Sequence, residues 1–361
     1  MKFNPNIPYN DLPPIPPSID IETKTILKKS INANKALAGL KGICSIIPNP
    51  SILVNSIILQ EAKDSSQIEN IVTTNDQLYE AFTATSKNYD AYTKEVLRYR
   101  EALWEGFNRL QKRKLLTTNL YINVYNVIKA NSASIRKTPG TKIATSTGKT
   151  LYTPPEGEKN IRDKLKNLEE FIHNDQDDID PLIKLALIHY QFEAIHPFTD
   201  GNGRTGRIIN ILYLVLKGLL DLPVLYLSKY IIQNKDQYYQ LLRNVTAKDQ
   251  WEPWIEYVLD GIETTAVYTK EKIIHIRKLL DDTIEQAKAK LPKRVYSKEL
   301  IELLFAQPYC TVKQLVDADI AKRQTAAEYL KELEKIGILK SKKVGTANLY
   351  LNIKLYELLL Y

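Results

Sequence analysis

Two cysteines, Cys44 and Cys310, are all that a chain of 361 residues carries. They make neither a disulfide framework nor a zinc site. No run of about 18 uncharged apolar residues occurs, so no membrane-spanning helix is expected. The first residues, MKFNPNIPYNDLPP, have no apolar stretch of the kind a secretory signal needs. A cytoplasmic setting without a membrane partner is therefore expected. Charge of one sign is not in large excess: the net charge is +8, which suits acidic partners without naming one. The single methionine and 22 tyrosines read as compositional habit.

What is present is mostly helical period. Prolines at 5, 8, 13, 14, 16 and 17 make residues 1–20 an extended arm, expected to pack over a domain surface. Helices are then predicted over 21–40 with an end at Gly42, from Ser51 to Ala62 after Pro48 and Pro50, and around 75–88, 90–111 and 117–130. Thr, Gly, Lys and Pro dominate 131–155, where Ile143 to Thr153 reads as a short β-hairpin turned at Ser146-Thr-Gly-Lys149. Helical period resumes over 160–173. A strongly apolar helix follows from Asp180-Pro181 to Ile195, stopped by His196-Pro197. Another runs from about Gly203 to Lys217, then others over 228–244, 249–266 and 268–289. Beyond Pro292 the order helix, short helix, longer helix and two strands joined at Gly345 resembles a winged helix.

The run His196-Pro-Phe-Thr-Asp-Gly-Asn-Gly-Arg-Thr-Gly-Arg207 concentrates chemistry. A helix delivers a histidine to the mouth of a glycine-rich turn, and a second helix starts at once. Unpaired amides at that helix start, carrying a partial positive charge, form an anion cradle. Arg204 and Arg207, three apart, share one face and can each clamp phosphate oxygens. Asp200 is a hard oxygen ligand beside the anion, suited to Mg²⁺. His196 can take a proton from an incoming hydroxyl. Each feature has a plainer reading, as helix-end histidine, turn aspartate, tight-turn glycines or solvated arginines. Together, in this order, they specify phosphoryl or nucleotidyl transfer.

The run resembles the signature H-x-F-x-[DE]-G-N-G-R-x-x-R of the Fic family, with every fixed position filled. The resemblance implies transfer of AMP from ATP to a Ser, Thr or Tyr hydroxyl of a target protein. It implies His196 as general base, Asp200 as Mg²⁺ ligand and Phe198 as the buried anchor of the loop. Gly201, Asn202, Gly203 and Arg204 would hold the α- and β-phosphates and Arg207 the γ-phosphate, with Thr205 and Gly206 in the same nucleotide-facing stretch. A Doc-like branch that phosphorylates its target has lysine after the asparagine, so Gly203 favours AMP. The hairpin at 141–153 resembles the flap that pairs with a target's backbone. The segment Asn234 to Leu242 resembles the nucleoside-side helix, with Tyr239 assigned to the base or ribose against a rival role in core packing.

Ser65-Ser-Gln-Ile-Glu-Asn70 has two readings. Ser66 and Glu69 fit a capping box at a helix start. Ser65, Glu69 and Asn70 also fit the family's inhibitory pattern [ST]-x-x-x-E-[GN], in which Glu69 pairs with Arg207 and occupies the γ-phosphate place. Such a glutamate also serves AMP removal in related proteins.

The fold expected is a mainly α, Fic-type helical core with a hairpin flap and a C-terminal winged helix. The divisions expected are 1–110 (arm and inhibitory region), 111–290 (catalytic core) and 291–361 (winged helix). Lys322, Arg323, Lys331 and Lys335 on the third helix of the last division, with Lys340, Lys342 and Lys343 on its wing, could meet DNA phosphates. Glu328, Glu332 and Glu334 on the same helix oppose a polyanion, so packing on the core or presenting a protein target is favoured over nucleic acid. Helical surfaces could support a homodimer. The alternatives are a nucleotide-sensing DNA- or protein-binding adaptor, or transfer of UMP or phosphate.

Overall fold

A computed structural model describes residues 3–45, 50–83, 89–145, 147–344 and 347–360. The expected turn residues Ser146 and Gly345, the expected breaker Pro48 and the expected helix end at 84–88 lie outside them. The chain is mainly helical, with two small antiparallel sheets.

The proline-rich arm lies along the hairpin, Tyr9 donating its N–H to the Thr153 carbonyl at 3.0 Å. Helix α1 (Lys24–Ser45) runs through Gly42 rather than ending there. Helix α2 (Pro50–Ile68) continues past Ala62. Ser66 and Glu69 therefore stand at a helix end, not a helix start, and the capping-box reading fails. The Ser66 hydroxyl has no partner among the described residues, and Asn70 turns the chain in the left-handed region at φ 63°. Helices α3 (Asn75–Thr83), α4 (Ala91–Arg113) and α5 (Thr118–Lys129) follow. Asp90 and Thr117 cap the last two, each side chain accepting a backbone N–H three residues on.

Strands β1 (Ile143–Ala144) and β2 (Thr150–Tyr152) form the hairpin, with Ile143 opposite Tyr152. Helix α6 (Glu158–His173) leads to α7 (Pro181–Ile195), whose N-cap Asp180 accepts the N–H of Leu182 at 2.8 Å. Helices α7 and α8 (Asn202–Leu216) are buried almost all round. A helix that is apolar on every side belongs in a core, and these two pack on each other at its centre.

Where one helix over 228–244 was expected there are two, α9 (Leu227–Gln233) and α10 (Lys235–Lys248), broken at Asn234. Where two were expected there is one, α11 (Trp251–Lys290), 40 residues long. No glycine or proline stands near 267, and the buried stripe Ile262, Ala266, Ile273, Ile276 and Leu280 passes straight through it. Helix α1 packs along α11.

Helices α12 (Lys298–Leu303), α13 (Val312–Asp317) and α14 (Arg323–Lys335) make the winged-helix order. The sheet has three strands rather than two: β3 (Tyr309–Cys310) pairs with β5 (Ala347–Asn352), which pairs with β4 (Leu339–Val344). A last helix, α15 (Ile353–Leu360), returns to α11. Lys322 is the N-cap of α14 rather than part of it. Among the described residues no helix is long and apolar enough to cross a membrane.

Candidate active site

The loop between α7 and α8 is held from several sides. His196 ends α7 in the left-handed region at φ 49°. Arg136, 4% exposed, donates from Nε to the His196 carbonyl at 2.8 Å and from its backbone N–H to the Pro197 carbonyl at 3.0 Å. Its guanidinium also reaches the Pro155 carbonyl behind the hairpin, so one buried cation ties hairpin to loop. Phe198 is fully buried and stacks parallel on Tyr125, ring centroids 4.1 Å apart. The Asn202 side chain closes the loop. Its Oδ1 accepts the Phe198 N–H and its Nδ2 donates to the Phe198 carbonyl, both at 2.8 Å. Thr205 Oγ1 donates to the Gly201 carbonyl at 2.9 Å. Asn202 and Thr205 thus spend their side chains inside the loop, and what remains for an anion is backbone N–H at the start of α8.

Charges alternate across this helix start. Asp200 accepts from Lys129 Nζ at 2.7 Å, and Lys129 also reaches Glu95 at 3.0 Å. Glu95 meets Arg204 Nη1 at 2.6 Å. Arg204 Nε donates to Glu69 Oε2 at 2.7 Å, and Arg207 Nη2 to Glu69 Oε1 at 3.0 Å. Arg207 further donates to Ser65, from Nε to Oγ at 2.7 Å and from Nη2 to the carbonyl at 2.8 Å. Burial works against the charge of Arg207, yet Glu69 beside it raises its pKa above the usual arginine value. Gly203 makes room for this contact. A Cβ there would lie 2.6 Å from Glu69 Oε1 and 2.9 Å from Arg207 Nη1, so a side chain would push the two ends of this pair aside.

His196 is partly exposed, but its Nδ1 is buried without a partner. Desolvation, with the positive Arg136 second, lowers its pKa to about 4. The imidazole is neutral at physiological pH and can accept a proton. The Mg²⁺ that the family implies finds one carboxylate here, and no cluster of three or more His, Cys, Asp or Glu occurs among the described residues. That donor set fits, because Mg²⁺ keeps waters and takes one or two carboxylates together with substrate phosphates. Asp200 is ionised: burial opposes this, but Lys129 holds its pKa below the usual value. Lys129 occupies the carboxylate that a cation would use.

The structure therefore gathers Ser65, Glu69, His196, Asp200 and the stretch from Gly201 to Arg207 in one place. Gly206 faces back onto α7. Asn70 shapes the turn, with Lys235 Nζ 3.5 Å from its Oδ1. Tyr239 stands on α10, exposed, and lines a cavity of about 100 Å³ with the hairpin and the end of α7. Glu95, Lys129 and Arg136 were missed from sequence. Their partners lie far along the chain, 71 residues for Lys129 to Asp200 and 109 for Glu95 to Arg204, and no motif marks them. Of the cations considered for DNA, Lys342 pairs with Glu80 on α3 and Lys335 with Glu332, both at 2.6 Å.

The chain is similar to several known proteins. Residues 27–108 match the Fic/DOC family N-terminal model and 116–214 the Fic/DOC family model. Residues 279–355 match the C-terminal domain of SoFic-like protein adenylyltransferases. Protein adenylyltransferase fic-1 of Caenorhabditis elegans is 30% identical over 115 residues, 32% of this chain and 21% of that protein. A probable protein adenylyltransferase of Aquifex aeolicus is 40% identical over 67 residues, 19% of this chain and 21% of that protein. The match thus spans about a fifth of the length of each. A Fic family protein from Desulfovibrio desulfuricans has the same fold, with a TM-score of 0.56 at 17% identity over 93% of this chain and 98% of its own. A C. elegans Fic-1 fragment gives 0.53 at 17% identity, over 68% of this chain and 73% of its own. With two family models that between them cover the helices from α1 to α8 and a filled signature loop at their centre, the chain belongs to the Fic/DOC family.

Proposed function

We propose that this chain transfers AMP from ATP to a hydroxyl of a target protein, and that Glu69 holds the site off at rest. One observation carries the reading. The Glu69 carboxylate sits between Arg204 and Arg207 at the start of α8, where a phosphate would meet two guanidinium groups and free backbone amides. A tethered carboxylate there competes with a phosphate for the same donors.

With Glu69 displaced, Arg207 takes the γ-phosphate, and Arg204 and the loop amides take the inner phosphates. The hairpin offers strand edges to the target's backbone and presents its hydroxyl. With Nδ1 buried, His196 Nε2 is the nitrogen left to accept the hydroxyl proton. The acceptor oxygen bonds to the α-phosphorus, and the bond from that phosphorus to the bridging oxygen breaks, its electron pair leaving with diphosphate. Mg²⁺ bound to Asp200 and phosphate oxygens would neutralise charge on the diphosphate. ATP labelled at the α-phosphate tests this: Glu69→Gly should label protein, and adding His196→Ala should abolish the label. Binding of ATP without any transfer in Glu69→Gly would favour a nucleotide sensor instead. The same labelled protein, chased with unlabelled buffer and parent enzyme, reads removal of AMP as lost label.

A further inference from the structure

The last carbonyls of a helix have no partner within it and must find one outside. At and just beyond the end of α7, two residues of the hairpin segment supply it. Tyr152 on β2 donates from its hydroxyl to the Ala194 carbonyl at 2.7 Å. Arg136 takes the next three carbonyls in turn: Ile195 from Nη2 at 3.4 Å, His196 from Nε at 2.8 Å and Pro197 from its backbone N–H at 3.0 Å. The same Nη2 donates to the Pro155 carbonyl, just past β2. Residues 131–140 form no helix or strand, and within that stretch only Ile135 and Arg136 are buried.

Every hydrogen bond that Arg136 donates among the described residues goes to a carbonyl. Burial lowers its pKa below the usual arginine value, against the opposing pull of Tyr152 and Glu156. A charge buried without an opposite charge in contact costs stability. A neutral group ties a loop at lower cost, so the guanidinium marks a place that has to be held closely, with donors in a fixed fork. What it holds is the backbone of His196. That residue sits in the left-handed region at φ 49°, which a residue with a Cβ adopts at a cost. With the carbonyl pinned, the direction in which the imidazole leaves the backbone is set. The hairpin is pinned by the same guanidinium. The strand edges and the base therefore stand on one frame.

We propose that Arg136 is a positioning residue for transfer, locking His196 to the hairpin so that a hydroxyl presented on a strand edge arrives at Nε2. This rests on the AMP-transfer reading above, in which the hairpin receives the target. The phosphates are held by other residues, so Arg136 governs transfer and not nucleotide binding. The test uses the full chain carrying Glu69→Gly. Self-labelling with α-labelled ATP gives kcat and KM. Calorimetry with Mg²⁺ and an ATP analogue carrying a methylene group between the α- and β-phosphorus, which cannot transfer AMP, gives the affinity of the site. Arg136→Met keeps bulk and removes the side-chain donors. Its kcat should fall on the order of a hundredfold, the cost of a displacement of about 1 Å in a reacting geometry. KM for ATP and the analogue's affinity should stay within about twofold, as for a group that acts only after binding. Arg136→Lys keeps the charge without the fork. It should fold even where melting shows that Arg136→Met does not, and show the same split with a loss of about tenfold. A kcat unchanged in both variants, or in Arg136→Lys where Arg136→Met does not fold, overturns the inference. So does a fall of kcat and analogue affinity by the same factor, which marks a brace for the whole loop. Absence of α-label from the Glu69→Gly chain itself overturns the transfer reading and the inference with it.

Discussion

Replacing Glu69 by glycine removes the contact on which the resting state depends. The carboxylate accepts from Arg204 at 2.7 Å and from Arg207 at 3.0 Å. Hydrogen bonds to charged groups contribute ~1.5–3 kcal/mol each. The two arginine side chains are 1% and 2% exposed, whereas that of Glu69 is 20% exposed, so the lower end applies. About 3 kcal/mol is then lost before a phosphate can take Arg207, and at 1.4 kcal/mol per tenfold that is on the order of a hundredfold in productive ATP binding. Glu69→Gly should raise the initial rate of self-labelling with α-labelled ATP by this factor. The fold should survive, because Arg204 keeps Glu95 and Arg207 keeps both contacts to Ser65. Stability should therefore fall by about the same 3 kcal/mol, the low end of the ~3–5 kcal/mol of a buried pair broken at one partner. ATP with Mg²⁺ should raise the melting temperature of the variant more than that of the parent. If Glu69→Gly labels no faster than the parent while His196→Ala abolishes labelling, the contact is structural and the brake does not exist.

Further outcomes follow from the same geometry. His196, lowered from 6.5 to about 4 by desolvation and Arg136, must be neutral to accept a proton. In Glu69→Gly, kcat/KM should stay flat from neutral pH to about 5 and halve near 4, because kcat/KM reports the free enzyme's base; halving near 6.5 would contradict the burial argument. Lys129→Gln removes an ammonium 2.7 Å from Asp200. The Mg²⁺ concentration for half-maximal labelling should fall on the order of fivefold, from about 1 kcal/mol of repulsion at high dielectric; an unchanged Mg²⁺ titration would remove Asp200 as the cation's ligand.

The site was legible to the extent that its chemistry is contiguous. His196 to Arg207 is one loop and one helix start, so residue type and spacing carry it. The Asp180 cap and Pro181 start of α7 were legible for the same local reason. The residues that brace the loop were not. Arg136 acts through carbonyls of His196, Pro197 and Pro155, and Glu95 and Lys129 link three helices, so each is defined by tertiary packing alone. The capping-box reading of Ser66 and Glu69 used a true local preference in the wrong place, because α2 continued through Ile68 on buried contacts. The same competition made α11 one helix: its interior stripe decided the matter where local signals were neutral. Strand β3, two residues long, and helix α15 are held by partners in β5 and α11, which no window of sequence contains.

The central claim is transfer of AMP rather than of phosphate, and it is tested most directly by the position of the label. Glu69→Gly protein, Mg²⁺ and a mixture of target proteins would be incubated in parallel with ATP labelled at the α- or the γ-phosphate. The account predicts α-label on protein, lost with His196→Ala, and no γ-label. Protein carrying γ-label, or α-label that persists in His196→Ala, would contradict it.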